Sequence, residues 1–218
     1  MNLDEHGAAH LPGAAAPFLS QLQGVLADLP SDQAGVRLRG VPGLGPLLGA
    51  DALGAAITER LGADAKPVRA ILFDKSAGTN WTLGWHQDRT IAVARREAVP
   101  GFGPWSTKAG MPHVEPPFAL IERMLTLRIH LDPVDAENAP LQVAPGSHRL
   151  GRIPEARIES VVRHCGTAIC LAESGDAWLY ATPILHASSA AVSPRRRRVL
   201  QIDFSADALP KPLAWLGV

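Results

Sequence analysis

His86 and Asp88 stand two residues apart in TLGWHQDRTIAVARR, residues 82–96, inside a run that alternates like a β-strand. Alternation puts both on one side of the strand and Trp85 and Gln87 on the other. Gly84 shares their parity and leaves room above them. An imidazole beside a carboxylate offers two donors to a metal, and a third must come from elsewhere. Of the 8 histidines, His6 and His10 lie near the N-terminus and His113 lies in a long Pro/Gly-rich interval. His130 shares a strand with Thr126 and Arg128, and His164 sits beside Cys165 where no other polar groups converge. Two stronger competitors remain: His148, which ends the turn-containing LQVAPGSHR, and His186, which closes the apolar strand WLYATPIL.

Two imidazoles and one carboxylate with open positions left over form the facial triad of non-haem Fe(II) oxygenases. His86, Asp88 and His186 would supply it. Such a centre leaves about three positions for a bidentate cosubstrate and O2. An acidic cosubstrate also needs a cation for its far carboxylate, and the planar two-donor fork of arginine suits that task. Arg197, within SPRRRRVLQIDF (193–204), follows His186 on the next strand, where a hairpin return would bring it back over the metal.

These residues need a scaffold, and the chain changes period where it would supply one. Residues 14–28 place Phe18, Leu19, Leu22, Val25 and Leu26 at helical spacing, and a second helix is predicted over about 48–62, ending at Gly62. Beyond these the period is two. Strands are predicted over 67–76, 82–94, 122–132, 141–145, 160–166, 175–188 and 197–206, separated by Gly, Pro, Asn or Asp. Strands without helical intervals predict a mainly β fold, an antiparallel double-sheet barrel backed by N-terminal helices. The interval 95–121 is long and rich in Pro and Gly, with Phe102, Trp105, Met111 and Phe118 available for packing. It is predicted to form a lid or pocket wall, with Trp85, Phe102 and Trp105 beside a partly apolar small substrate.

A chain of 218 residues fills one core, so a single domain over 1–218 is expected. Lys plus Arg equal Asp plus Glu at 21 each, which leaves no global field for nucleic acid or an acidic membrane. Cys165 and Cys170 are the only cysteines; a disulfide scaffold is excluded, and their spacing is not that of a zinc knuckle. MNLDEHGAAHLPG lacks a basic region followed by an apolar stretch, and no window reaches membrane-spanning length. A soluble cytoplasmic protein, monomer or homodimer, is the expectation.

Three extended segments carry a resemblance. NWTLGWHQDRTIAV, MLTLRIHLDPVDAENAPLQVAPGSHRLG and GDAWLYATPILHASSAAVSPRRRRVLQIDF, in that order, span residues 80–204. The chain resembles the phytanoyl-CoA dioxygenase family of Fe(II)- and 2-oxoglutarate-dependent oxygenases. The resemblance implies a double-stranded β-helix (jelly roll, cupin-like) and iron held by His86, Asp88 and His186. It places the 2-oxoglutarate-binding arginine eleven residues after the distal histidine, at Arg197, with Arg195 the alternative of the same parity; Arg196 and Arg198 should face the other way. A second contact to 2-oxoglutarate would come from Lys75 or Thr126. Asn138 and the APGSH loop match a family segment near the site, which makes His148 a loop-fixing residue. A carboxylate at position 88 points to hydroxylation with O2, releasing succinate and CO2, since related halogenases carry a small residue there; desaturation, epoxidation and ring chemistry use the same triad and stay open. A cupin-like binding protein would share the barrel without needing Arg197, and a catalytically inactive relative would leave His86 and Asp88 bonded only to their neighbours.

Overall fold

In the segment RRVLQIDFS, polar and apolar residues alternate, and the structure divides them between two environments. The computed structural model describes residues 1–30, 33 and 35–218. Its strands are β1 (Ala8–Leu11), β2 (Gly35–Leu38), β3 (Lys66–Lys75), β4 (Leu83–His86), β5 (Ile91–Ala92), β6 (Trp105–Lys108) and β7 (Met111–Val114). They continue with β8 (Leu125–His130), β9 (Leu141–Val143), β10 (Ala168–Cys170), β11 (Ala177–Ala181), β12 (His186–Ser188) and β13 (Arg197–Ser205). The order in the six-stranded sheet is β1-β11-β8-β13-β3-β2; a second sheet runs β10-β9-β12-β4 and a third β5-β7-β6. All named pairings are antiparallel.

β13 lies at the centre of the large sheet. Its residues Leu200, Ile202 and Phe204 join Leu72, Leu127, Ile129 and Leu179 against Leu22, Leu26, Leu44, Leu48 and Ile57 from the helical front of the chain. Each such side chain, fully buried, contributes roughly 1.5–3 kcal/mol. The opposite parity of β13 carries Arg197 and Gln201 into a cavity between this sheet and the four-stranded one. One face of the large sheet therefore holds the core, and the other is polar and buried.

The expected double-stranded β-helix does not form. The strands make a mixed α/β architecture of three open sheets, and none closes into a barrel. The four-stranded sheet is built from strands of three or four residues. β4 is its edge, while β1 and β2 remain the edges of the large sheet.

The front helices are present but shorter than expected: Leu19–Val25 follows a 3-10 turn over Ala16–Phe18, and Ala55–Leu61 ends at Gly62, whose φ is 87°. The expected strand at 160–166 is a helix, Ile158–Cys165. Its Val161, Val162 and Cys165 fall with Ile158 on one helical face and pack with Ala144, Ile153 and Leu185; the β-branched composition hid a 3.6-residue period. The interval 95–121 is also more ordered than a loop, containing the β6–β7 hairpin and the helix Phe118–Ile121. The long strand expected over 175–188 breaks between Ala181 and His186, where Thr182 and Pro183 turn the chain from the large sheet into the small one. Among the described residues, no helix is long and apolar enough to cross a membrane.

Leu200 is fully buried between β8 and β3. Leu200→Ala is expected to lower unfolding free energy by about 2–5 kcal/mol, read as a lower urea midpoint with an unchanged slope.

Candidate active site

β12 and β4 pair so that His186 lies directly opposite His86, with ring centroids 4.3 Å apart. Each ring is oriented in the same way. His86 Nδ1 donates to the Gly84 carbonyl at 2.8 Å, and His186 Nδ1 donates to the Ile184 carbonyl at 3.0 Å. A carbonyl can only accept, so each Nδ1 carries its proton, and Nε2 is the nitrogen left to meet a metal. Burial, followed by the neighbouring His86, lowers the His186 pKa to about 4, which keeps its ring neutral at ordinary pH.

Asp88 joins them by a route that simple alternation does not describe. β4 stops at His86, and residues 87–90 are irregular. Gln87 fixes the segment: its Nε2 donates to the carbonyls of Pro183 at 2.8 Å and Gly151 at 3.0 Å, and its Oε1 accepts from the Ile153 N–H at 2.8 Å. Asp88 is thereby turned to the histidine side, where His86, Asp88 and His186 each bring one donor atom to within 4.8 Å of the others. Burial opposes ionisation of Asp88, but Arg69, His186 and His86 outweigh it and bring its pKa down to about 2. Arg69 Nη2 donates to Asp88 at 3.1 Å, while its Nε donates to Asp203. Thr126 Oγ1 in turn donates to Asp203 at 3.1 Å and lies 3.0 Å from Thr182 Oγ1.

The cavity beside this cluster is about 200 Å³ and includes Asp88, His186, Lys75, Arg128, Arg197 and Gln201 in its walls. Arg197 is 1% exposed, and its Nε and Nη1 have no partner among the described residues. Burial, with the Arg128 charge beside it, pulls the Arg197 pKa down to about 9. A guanidinium does not readily give up its proton, so an anion relieves this cost. Lys75 stands opposite Arg197 in the β3–β13 register and donates to the carbonyls of Trp81 and Ser189 and to Ser188 Oγ. Burial, then Arg197 and Arg128, lower its pKa to about 8.

The other arginines of the run are committed elsewhere. Arg195 is exposed and pairs with Asp135, Arg196 pairs with Asp74, and Arg198 pairs with Asp132. Thr126 does not line the cavity; it braces Asp203 from behind. Neither do the three aromatics expected there. Trp85 packs with Ile153 and Leu185, and Phe102 and Trp105 pack with Val68, Ile91 and Val114, because the hairpin of the 95–121 interval has its own core to fill. That hairpin reaches the cavity through Lys108, at the end of β6. His148 lies away from the cluster, in a cleft with Leu3 and Arg60, and Asn138 accepts the Arg195 N–H. Gln87, Arg69, Arg128 and Lys108 were not singled out from sequence; only the position of Gln87 inside His-x-Asp was a signal.

A two-histidine, one-carboxylate cluster next to a buried, unpaired arginine defines an Fe(II)- and 2-oxoglutarate-dependent oxygenase type of active site. The model of the phytanoyl-CoA dioxygenase (PhyH) family matches residues 50–199, and the chain belongs to that family. No curated protein matches it. Among solved structures it is similar to EctD from S. alaskensis in its apoform, with a TM-score of 0.66 at 17% identity over 99% of this chain and 78% of that one. AviO1 from Streptomyces viridochromogenes Tue57 gives a TM-score of 0.63 at 20% identity over 95% and 93%. HygX from Streptomyces hygroscopicus, solved with nickel, 2-oxoglutarate and hygromycin B, gives 0.63 at 13% over 93% and 84%. At these identities the likeness is one of fold.

Gln87→Ala removes the bonds that hold Asp88 in place. It is expected to weaken Fe(II) binding about 10–100-fold, measured by anaerobic titration, and to cost about 1–3 kcal/mol in urea unfolding because buried carbonyls lose their donor. Unchanged metal affinity would mean that Asp88 holds its place without Gln87.

Proposed function

We propose that the chain, acting as one domain over 1–218, is a 2-oxoglutarate-dependent hydroxylase of a small, partly apolar metabolite. The observation that carries this reading is Arg197: a buried guanidinium with two unpaired donors, in the same cavity as Asp88 and His186. A metal-storage barrel has no use for such a group, whereas a dicarboxylic cosubstrate chelated at the metal does. The donor set fits iron, with two imidazole nitrogens and a carboxylate and no thiolate.

His86 and His186 would hold the metal through Nε2, and Asp88 through a carboxylate oxygen whose charge Arg69 keeps ionised. When bound, Fe(II) supplies the O2 chemistry that couples decarboxylation of 2-oxoglutarate to succinate and CO2 with oxidation of a substrate C–H bond. Arg197 receives the far carboxylate of 2-oxoglutarate through its two-donor fork, and Lys75 adds a second positive charge to that end. Thr126 contributes only through Asp203 and Arg69. Asp88 supports hydroxylation over halogenation, because its carboxylate fills the position a chloride would need. The cavity, small beside the usual 300–1,000 Å³ of ligand pockets, supports a metabolite-sized substrate.

Anaerobic addition of Fe(II) and 2-oxoglutarate should give a weak visible charge-transfer band that His86→Ala abolishes; its absence from intact protein would refute the oxygenase reading. Arg197→Gln should still bind Fe(II) but weaken 2-oxoglutarate binding by about 2–5 kcal/mol, followed through the same band.

Lys75 gives a pH signature. Its folded pKa is depressed to about 8, so it is cationic below that pH and neutral above it. Binding of a dianion above about pH 8 must therefore take up a proton, and the 2-oxoglutarate dissociation constant should rise by up to about tenfold per pH unit there. Lys75→Met should bind more weakly and lose that dependence.

A further inference from the structure

Three cations of the cavity have no role in the reading above: Arg128, whose Nη1 donates to Gln201 Oε1 at 2.8 Å, and Arg37 and Lys108. Arg37, on β2, lies opposite Ile71, which lies opposite Gln201, which lies opposite Arg128. It thus ends a row of side chains that crosses the cavity floor to the sheet edge. Lys108 enters from the third sheet. Among the described residues neither makes an ion pair; Arg37 Nε is buried without a partner, and Lys108 Nζ has only a 3.3 Å bond to Thr90 Oγ1. Both line the cavity together with Asp88 and Arg69; burial and the Arg69 charge lower the pKa of each, with Asp88 opposing, and the Arg37 charge also acts on Lys108.

The charges there do not balance. Among the described residues, the cavity walls hold Arg37, Arg69, Lys75, Lys108, Arg128 and Arg197 against a single carboxylate, Asp88. Asp203, behind the wall, answers Arg69. Under the proposed function Asp88 belongs to the metal, the dipositive metal offsets the 2-oxoglutarate dianion, and Arg197 and Lys75 face the cosubstrate. Arg37, Lys108 and Arg128 are then left without a carboxylate partner among the described residues. Ile71, Phe73, Trp81 and Leu83 supply apolar wall to the same cavity.

We infer that the prime substrate is a small carboxylic acid whose carboxylate is held by Arg37 and Lys108 while its apolar body passes over Ile71 toward the metal. This deepens the oxygenase reading and rests on it. One guanidinium fork and one ammonium match a carboxylate, and a cavity of about 200 Å³ suits a small acid.

The test is anaerobic calorimetry on protein loaded with Fe(II) and saturating 2-oxoglutarate, so that Arg197 is already engaged. The probes are butyrate, hexanoate and octanoate, their primary amides, and hexylamine. The best carboxylate should bind about tenfold or more tightly than its amide, and hexylamine should bind least. Arg37→Gln and Lys108→Gln should each erase the preference for carboxylate while leaving amide affinity unchanged, and Arg37→Lys should keep most of it. The proposal is overturned if no carboxylate binds below about 10 mM, if amide or amine binds as well as the acid, or if both glutamine variants keep the preference. The visible band is recorded on the same samples. Its absence would overturn the oxygenase reading, whereas the acid-to-amide ratio reports on Arg37 and Lys108 with or without it.

Discussion

Arg69 is the tie between the two halves of the site. It projects from β3 of the large sheet, is 8% exposed, and divides its donors between Asp203 on β13 and Asp88 beyond the end of β4. A buried carboxylate ordinarily takes up a proton to escape the cost of charge; the guanidinium reverses that for Asp88 and leaves it ready to meet a cation. The same contact sets its position. Asp88 belongs to an irregular segment, so without Gln87 on one side and Arg69 on the other no regular hydrogen-bond ladder would aim it. The row Tyr180, Thr126, Asp203 and Arg69, opposite one another across four strands, makes the large sheet the rigid floor from which that aim is taken.

The two sheets divide the work. The small sheet presents the imidazoles, and pairing His186 opposite His86 puts both rings on one spot. Its strands are too short to be stable alone, which is consistent with their lying against a six-stranded sheet that has a complete apolar core on its far face. The large sheet contributes charge: Arg69, Arg128, Arg197 and Lys75 all leave its inner face. Placing cations on the larger, better-braced element suits the energetics, because a buried unpaired charge is costly and needs a scaffold with stability to spare.

The clustering of three side chains and the buried placement of a fourth were more legible in the sequence than the architecture. His86, Asp88 and His186 could be read because ligand type and a two-residue spacing constrain the answer, and Arg197 because parity separates it from Arg196 and Arg198, whose partners Asp74 and Asp132 lie on the other side. The strand positions mostly followed from period two. Closure did not, since a list of strands says nothing about which edges meet; β1 and β2 stay unpaired to each other, and three open sheets result. The helix at Ile158–Cys165 was missed because Val161 and Val162 read as strand residues when taken as composition and as a helical face only when taken as spacing. The aromatic residues misled for a related reason. Phe102 and Trp105 signal that something packs, but not what, and here they serve the hairpin that carries Lys108.

The local backbone explains why His-x-Asp works here at the end of a strand. At both histidines the ring bonds the carbonyl two residues earlier, at Gly84 and Ile184, so each imidazole is oriented by the backbone just before it and needs no distant partner. Asp has no such option: its short side chain must be brought in by rotating the backbone, which is possible only where the ladder has ended. The residue between them then bears the whole cost of leaving the sheet, because its neighbours' peptide groups lose regular partners. Gln87 has one acceptor and two amide hydrogens, and here all of them are taken up by Ile153, Pro183 and Gly151. Two of those partners, Ile153 and Gly151, come from the chain that follows the APGSH turn, and Pro183 precedes His186 by three residues. The spacer of the motif thus joins the three segments on which the sequence resemblance was carried, and it does so with its side chain on the face opposite the metal ligands.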